Sequence, residues 1–173
     1  MSVYMFQVGS INPGTGVADG SVLTSGTYLA IVGGTTTQLS FVEEIYMGGQ
    51  AASTAPMIML LARDSSAGAT PTALVNTTSN SNGPVHPSAG VLTTPPIGFI
   101  AATTQPTRSN VVTLGKKNFT FNAFGGIVRA NYANTQDRFG ILGNAASLGE
   151  MSLSSYTGST SASIGAHILY ETI

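Results

Sequence analysis

Apolar residues in this chain alternate with polar ones at period two, or run on unbroken, in segments of four to nine residues. They hardly ever recur at the spacing of three and four that marks a helix face. Val3–Val8, Thr27–Val32 and Leu39–Met47 are rich in β-branched and aromatic residues, and each stops at or next to glycine. Met57–Leu61 is wholly apolar, which predicts a strand covered on both faces. In Asn118–Phe124 the alternation puts Phe119, Phe121 and Ala123 on one face and Thr120, Asn122 and Phe124 on the other. Ile127–Ala130, Phe139–Leu142, Glu150–Ser154 and Ala166–Tyr170 complete the set. Short strands bounded by Gly, Asn, Ser and Pro predict one all-β domain over residues 1–173, a jelly-roll-like β-sandwich or Greek-key barrel. One helical turn fits, at Asn144–Leu148, limited by Gly143 and Gly149.

Three glycine pairs punctuate the pattern: Gly33-Gly34, Gly48-Gly49 and Gly125-Gly126. A dinucleotide fingerprint needs G-x-G-x-x-G between a strand and a helix. Here Gly125-Gly126 is followed by Ile127-Val128, which continues as strand. The one Gly-Lys, Gly115-Lys116, runs into Lys117 where a phosphate-binding loop needs Ser or Thr. All three pairs therefore read as tight turns or bulges that require positive φ.

The strand spacing breaks between Asp64 and Asn110, a stretch of mostly Ser, Thr, Ala, Pro, Asn and Gly. A long segment without secondary structure inside a compact domain usually signals function or disorder. Prolines favour extended or turn conformations and lower unfolded-state entropy. The expectation is a long Pro/Ser/Thr-rich excursion, either an ordered arm lying over a neighbour or a loose loop. The candidate partner contacts are Pro71, Pro84, Pro87, Pro95, Pro96, Ile97, Phe99 and Arg108, with Ile97–Ile100 as a short strand or apolar anchor.

Charge alters this picture most. Only 8% of the 173 residues are charged and the net charge is −1, against about 25% charged in ordinary domains. Clustered Lys and Arg for nucleic acid are absent from the sequence. A surface of small polar residues with little net charge is poorly protected against association, so a homo-oligomer or a larger particle is expected. There is no cysteine, hence no disulfide and no thiolate metal site. The opening MSVYMFQVGSINPG lacks the basic and apolar regions of an export signal, so synthesis in a host cytoplasm is the expectation.

Chemistry-bearing residues are few. His86 and His167 stand far apart with no H-x-H or H-x-x-x-H spacing; a loop histidine and a strand-face histidine are expected, not a zinc site. Glu43 and Glu44 are neighbours on a predicted strand and should point to opposite faces. Arg63-Asp64 reads as a strand end and Asp137-Arg138 as a solvated turn. No nucleophile elbow or calcium loop occurs in the sequence. No catalytic residue, metal ligand or cofactor is assigned.

The stretches NFTFNAFGGIVRAN, FGILGNAASLGEMSLSSYTGS and GAHILYETI, with EEIYMGGQAASTAPMIMLLARDSSAGAT before them, resemble the small β-rich structural proteins of tailed-bacteriophage virions. That resemblance implies a decoration (cement) protein on the head that binds the major capsid protein, or a minor capsid, tail or head–tail component. It supplies no catalytic residues, and it implies a virion location. A homo-oligomer is compatible with it, and a trimer on a local threefold is one closed arrangement. A carbohydrate-binding, adhesin-type sandwich is the alternative of a different kind; the absence of Trp counts against it.

Overall fold

The structure is a computed structural model that describes residues 2–9, 27–50, 53–66, 72–73, 81–85, 92–100, 107–108, 116–133, 136, 138–143, 150–155 and 164–173. The described residues form strands, turns and bends. The strands are β1 (Ser2–Gly9), β2 (Thr27–Val32), β3 (Leu39–Gln50), β4 (Pro56–Ser66), β5 (Thr72–Ala73), β6 (Ser81–Pro84) and β7 (Ile97–Ile100). They continue with β8 (Thr107–Arg108), β9 (Lys116–Asn122), β10 (Phe124–Asn131), β11 (Gly140–Leu142), β12 (Glu150–Ser155) and β13 (Ile164–Thr172). Every segment predicted as strand lies on a strand or overlaps one. The turn expected at Asn144–Leu148 falls outside the described residues.

Two antiparallel sheets share one core. The first runs β10-β3-β13-β1-β6, with β11 also on β3; the second runs β5-β7-β2-β12-β4-β8, with β9 also on β4. The pairing is nested: β1 with β13, β2 with β12, β3 with β10 and β4 with β9. Eight strands thus make a single antiparallel ribbon, folded so that its strands fall alternately into the two sheets.

Period-two patterning decides the core. On β13 the exposure alternates residue by residue, with Ile164, Ala166, Ile168, Tyr170 and Thr172 inside. Tyr4, Phe6, Val42, Ile45 and Met47 join them from the first sheet, opposite Leu29, Ile31, Met57, Met59, Leu61, Phe119, Phe121, Met151 and Leu153 from the second. Each large side chain so buried contributes about 1.5–3 kcal/mol relative to exposure. The faces predicted for Asn118–Phe124 hold: Phe119, Phe121 and Ala123 are buried, while Thr120, Asn122 and Phe124 are exposed. β4 is covered on both faces as its apolar run required, since Leu60 and Ala62 are buried on the side away from the core. A hydroxyl pair, Ser40 Oγ and Thr172 Oγ1 at 3.0 Å, satisfies two polar groups between β3 and β13.

The described residues of 64–110 carry sheet strands, and Ile97–Ile100 is the short strand that the sequence suggested. β6 pairs with β1 in the first sheet, while β7, β5 and β8 pair with β2, β7 and β4 in the second. Arg63-Asp64 lies near the end of β4, as expected, and the strand runs on to Ser66. Half-buried Arg63 donates from Nε to the Gly140 carbonyl and lies over the Phe139 ring, 4.4 Å from its centroid, tying the second sheet to the first.

Candidate functional site

The glycine pairs divide into different kinds. Gly125 has φ of +72° and sits where the β10–β3 register slips between Phe124 and Ile127. It is therefore a bulge with a left-handed residue, as the sequence suggested. Gly126 is needed for closeness: a Cβ there would lie 2.0 Å from the Asn122 carbonyl oxygen. Gly48 and Gly49 form no turn, since both lie within β3, and Gly49 instead lets the backbone of Ala123 approach. Gly33 and Gly34 likewise have no positive φ; they are crowded by the backbones of Gly143 and Thr94.

The bulge belongs to a corner. β3 and β4 lie in different sheets, and so do β10 and β9, so two paired strands cross over side by side. Asn122 Oδ1 accepts the N–H groups of Ala55 and Phe124, both at 3.0 Å. Ala123 donates to the Ala55 carbonyl at 2.8 Å.

The outer face of the first sheet concentrates the charge. The β13–β3 register shifts so that Leu169 faces Glu44 and Tyr170 faces Val42. Glu43 is the additional residue on β3. Val42 and Ile45 both point into the core, so Glu43 and Glu44 both point out. The expectation that adjacent glutamates face opposite sides is therefore overturned by a bulge that adds one residue to the alternation.

Each glutamate has its own partners. Arg129 on β10 donates from Nε (3.0 Å) and Nη2 (2.8 Å) to Glu44 Oε2. His167 on β13 meets Glu44 Oε1 at 3.1 Å through Nε2, and its ring stacks on Tyr46 with centroids 5.2 Å apart. Arg138 Nη1 donates to both Glu43 Oε1 (2.7 Å) and Glu171 Oε2 (2.8 Å), and the guanidinium lies over Phe41. Arg138 is thus held in an ion-pair bridge, not in a solvated turn. His167 is the strand-face histidine expected, while His86 lies outside the described residues.

Of six basic and seven acidic residues in the chain, two and three meet on this face. The hydrogen bonds from Arg129 hold the Glu44 carboxyl below its ordinary value, against the opposing effect of burial and with help from His167. The bonds to Glu43 and then Glu171 raise Arg138. Glu150, half-buried at the start of β12, is pushed up by desolvation. Among the described residues no group of three or more His, Cys, Asp or Glu side chains could hold a metal ion. Nor is any helix among them long and apolar enough to cross a membrane.

The contact residues expected from the long segment are divided between the two sheets. Pro84 ends β6 and is paired with Tyr4 at the edge of the first sheet. Pro95 and Pro96 lead into β7 of the second sheet, where exposed Ile97 pairs with Val32 and Phe99 pairs with Ala30. Arg108 pairs through its backbone with Asp64 near the end of β4. Pro71 and Pro87 lie outside the described residues. The network on the outer face was missed by sequence reasoning, because the signal for it is a bulge set by the pairing of β3 with β13.

No protein-family model matches the chain, and neither curated proteins nor solved structures show a significant match.

Proposed function

We propose that this chain is a non-enzymatic structural protein of a virus particle: a capsid decoration protein of the tailed-bacteriophage kind that binds the major capsid protein and stabilises the shell. The observation that carries the reading is the nested pairing of eight strands, first with last and inward to fourth with fourth-last, across two sheets. That order supports the finer assignment of a jelly roll, the double-sheet architecture used by viral capsid and lectin domains. The step from fold to role is one of analogy, since folds host many functions. Two features add weight. The low charge suits a protein that works within an assembly. Glu43, Glu44, Glu171, Arg129 and Arg138 are bound up in one another, which leaves them as structural ties. The lectin branch of the same architecture is disfavoured, because sugar-stacking platforms are usually aromatic and the chain has no Trp.

Density-gradient fractionation of the native source, with peptides of this protein followed by mass spectrometry, tests the reading. Co-migration with DNA-filled particles at fixed copy number is expected. Residence at the top of the gradient would overturn it.

A further inference from the structure

A sheet edge is a row of unpaired backbone groups, and proteins normally blunt it with short strands, Pro, charged side chains or bulges. Most edges here are blunted. β6 has four residues and ends in Pro84, and β5 has two. β9 begins with Lys116-Lys117 and β8 has two residues, one of them Arg108. β10 differs: it spans eight residues, FGGIVRAN, with neither Pro nor Lys, and among the described residues only β3 pairs with it in the first sheet. The Gly125-Gly126 bulge interrupts its first turn of pairing only, and from Ile127 to Asn131 the register is unbroken.

The direction of the free groups follows from one bond. Tyr132 donates its N–H to the Glu43 carbonyl at 2.7 Å, so Tyr132 points its backbone groups at β3. In an antiparallel strand alternate residues do the same. Ala130 and Val128 therefore bond to β3, while Ile127, Arg129 and Asn131 direct their N–H and C=O groups away from the sheet. Among the described residues, three of the six exposed large hydrophobics, Phe124, Ile127 and Leu142, lie along this same side of β3, with Phe124 and Ile127 57% and 64% exposed.

We propose that the β10 edge is an interface between two copies of this chain, formed by antiparallel pairing of β10 with β10 about a twofold axis. Outward donors and acceptors at every second residue match an extended backbone as occupant. Charge selects a second copy. Arg129 is the one charged residue on β10, and Glu44 of the same chain already neutralises it. With a net charge of −1 the two copies scarcely repel. A twofold contact is also the commonest closed arrangement. Pairing residues whose free groups point outward keeps Ile127 and Arg129 of both copies on the outer face and Val128 on the inner one, so the first sheet and the core beneath it run on from one copy into the other. The inference does not depend on the virion reading.

The test is sedimentation velocity of the purified full chain over a wide concentration range, beside two variants. Ile127→Pro removes an outward N–H without removing a bond to β3; Ile127→Lys keeps the backbone and puts a charge on the edge. The wild type should sediment at no less than twice its 17.6 kDa. Both variants should sediment as monomers, with unchanged circular dichroism. If Ile127→Pro fails to fold, Ile127→Lys decides. A monomeric wild type, or a variant that associates as the wild type does, would overturn the proposal.

Discussion

The N–H of Ala123 points at the carbonyl of Ala55 across 2.8 Å, joining the two places where the folded ribbon passes from one sheet to the other. One side chain, Asn122, braces both of them. Its Oδ1 accepts from Ala55 on one strand and from Phe124 on the other. Asn122→Ala leaves two N–H groups without their partner, and the Ala55 residue is buried. The expected loss is about 1–3 kcal/mol, seen as a lower midpoint in urea denaturation at unchanged slope. An unchanged midpoint would show that the corner is held by the backbone alone.

Gly125 and Gly126 are adjacent but should respond differently. A Cβ on Gly125 meets nothing within 4 Å, so the cost there comes from φ of +72° alone. Gly125→Asn, which tolerates the left-handed region, should be nearly neutral, while Gly125→Val should cost about 1–2 kcal/mol or more. Gly126→Ala drives a methyl into the Asn122 carbonyl and should be the most damaging of the three. Melting temperatures in the reverse order would contradict the assignment of strain to one residue and crowding to the other.

Glu44 links stability to pH. Its folded pKa lies below the ordinary carboxyl value of 4.5. A depressed carboxyl adds stability above its unfolded pKa and loses it as pH falls through the folded value. Glu44→Gln should therefore be less stable than wild type at neutral pH, by about 0.5–1 kcal/mol given the solvent exposure of Arg129. The gap should close as pH drops below 4.5. A gap that stayed constant into acid would mean that the ion pair contributes nothing.

Tyr170 is fully buried, its ring stacked on Phe6 at 4.7 Å and on Tyr4 at 5.4 Å between centroids. Its hydroxyl has no hydrogen-bond partner among the described residues, and burial pushes its pKa far up. Tyr170→Phe keeps both stacks and removes an unsatisfied polar group, so it should stabilise the fold by about 1 kcal/mol. Tyr170→Leu, which loses the stacking, should destabilise it. A destabilised Tyr170→Phe variant would reveal a role for the hydroxyl.

Strand existence and strand faces were legible in the sequence because both follow from local alternation. Phe119, Phe121 and Ala123 face the core for the same reason that they stand two apart, and Leu60 in the Met57–Leu61 run is buried because the whole run is apolar. The nested order of pairing was not legible. It joins Ser2 to Thr172 and Glu150 to Val32, and no property of either segment alone names its partner. The same limit hid the outer-face network. Glu43 and Glu44 alternate on paper, but pairing with β13 adds one residue to β3 between Val42 and Glu44 and turns both carboxylates to one side. Gly48-Gly49 shows the converse case: glycine that looks like a turn stays inside a strand because the Ala123 backbone must pass close to Gly49. Where the chain extends and which side of each strand is apolar can be read from the residues alone, since period-two patterning is written residue by residue. Which strands meet, where the register slips and which charges pair come from the folded arrangement, because those depend on contacts between residues far apart in the chain.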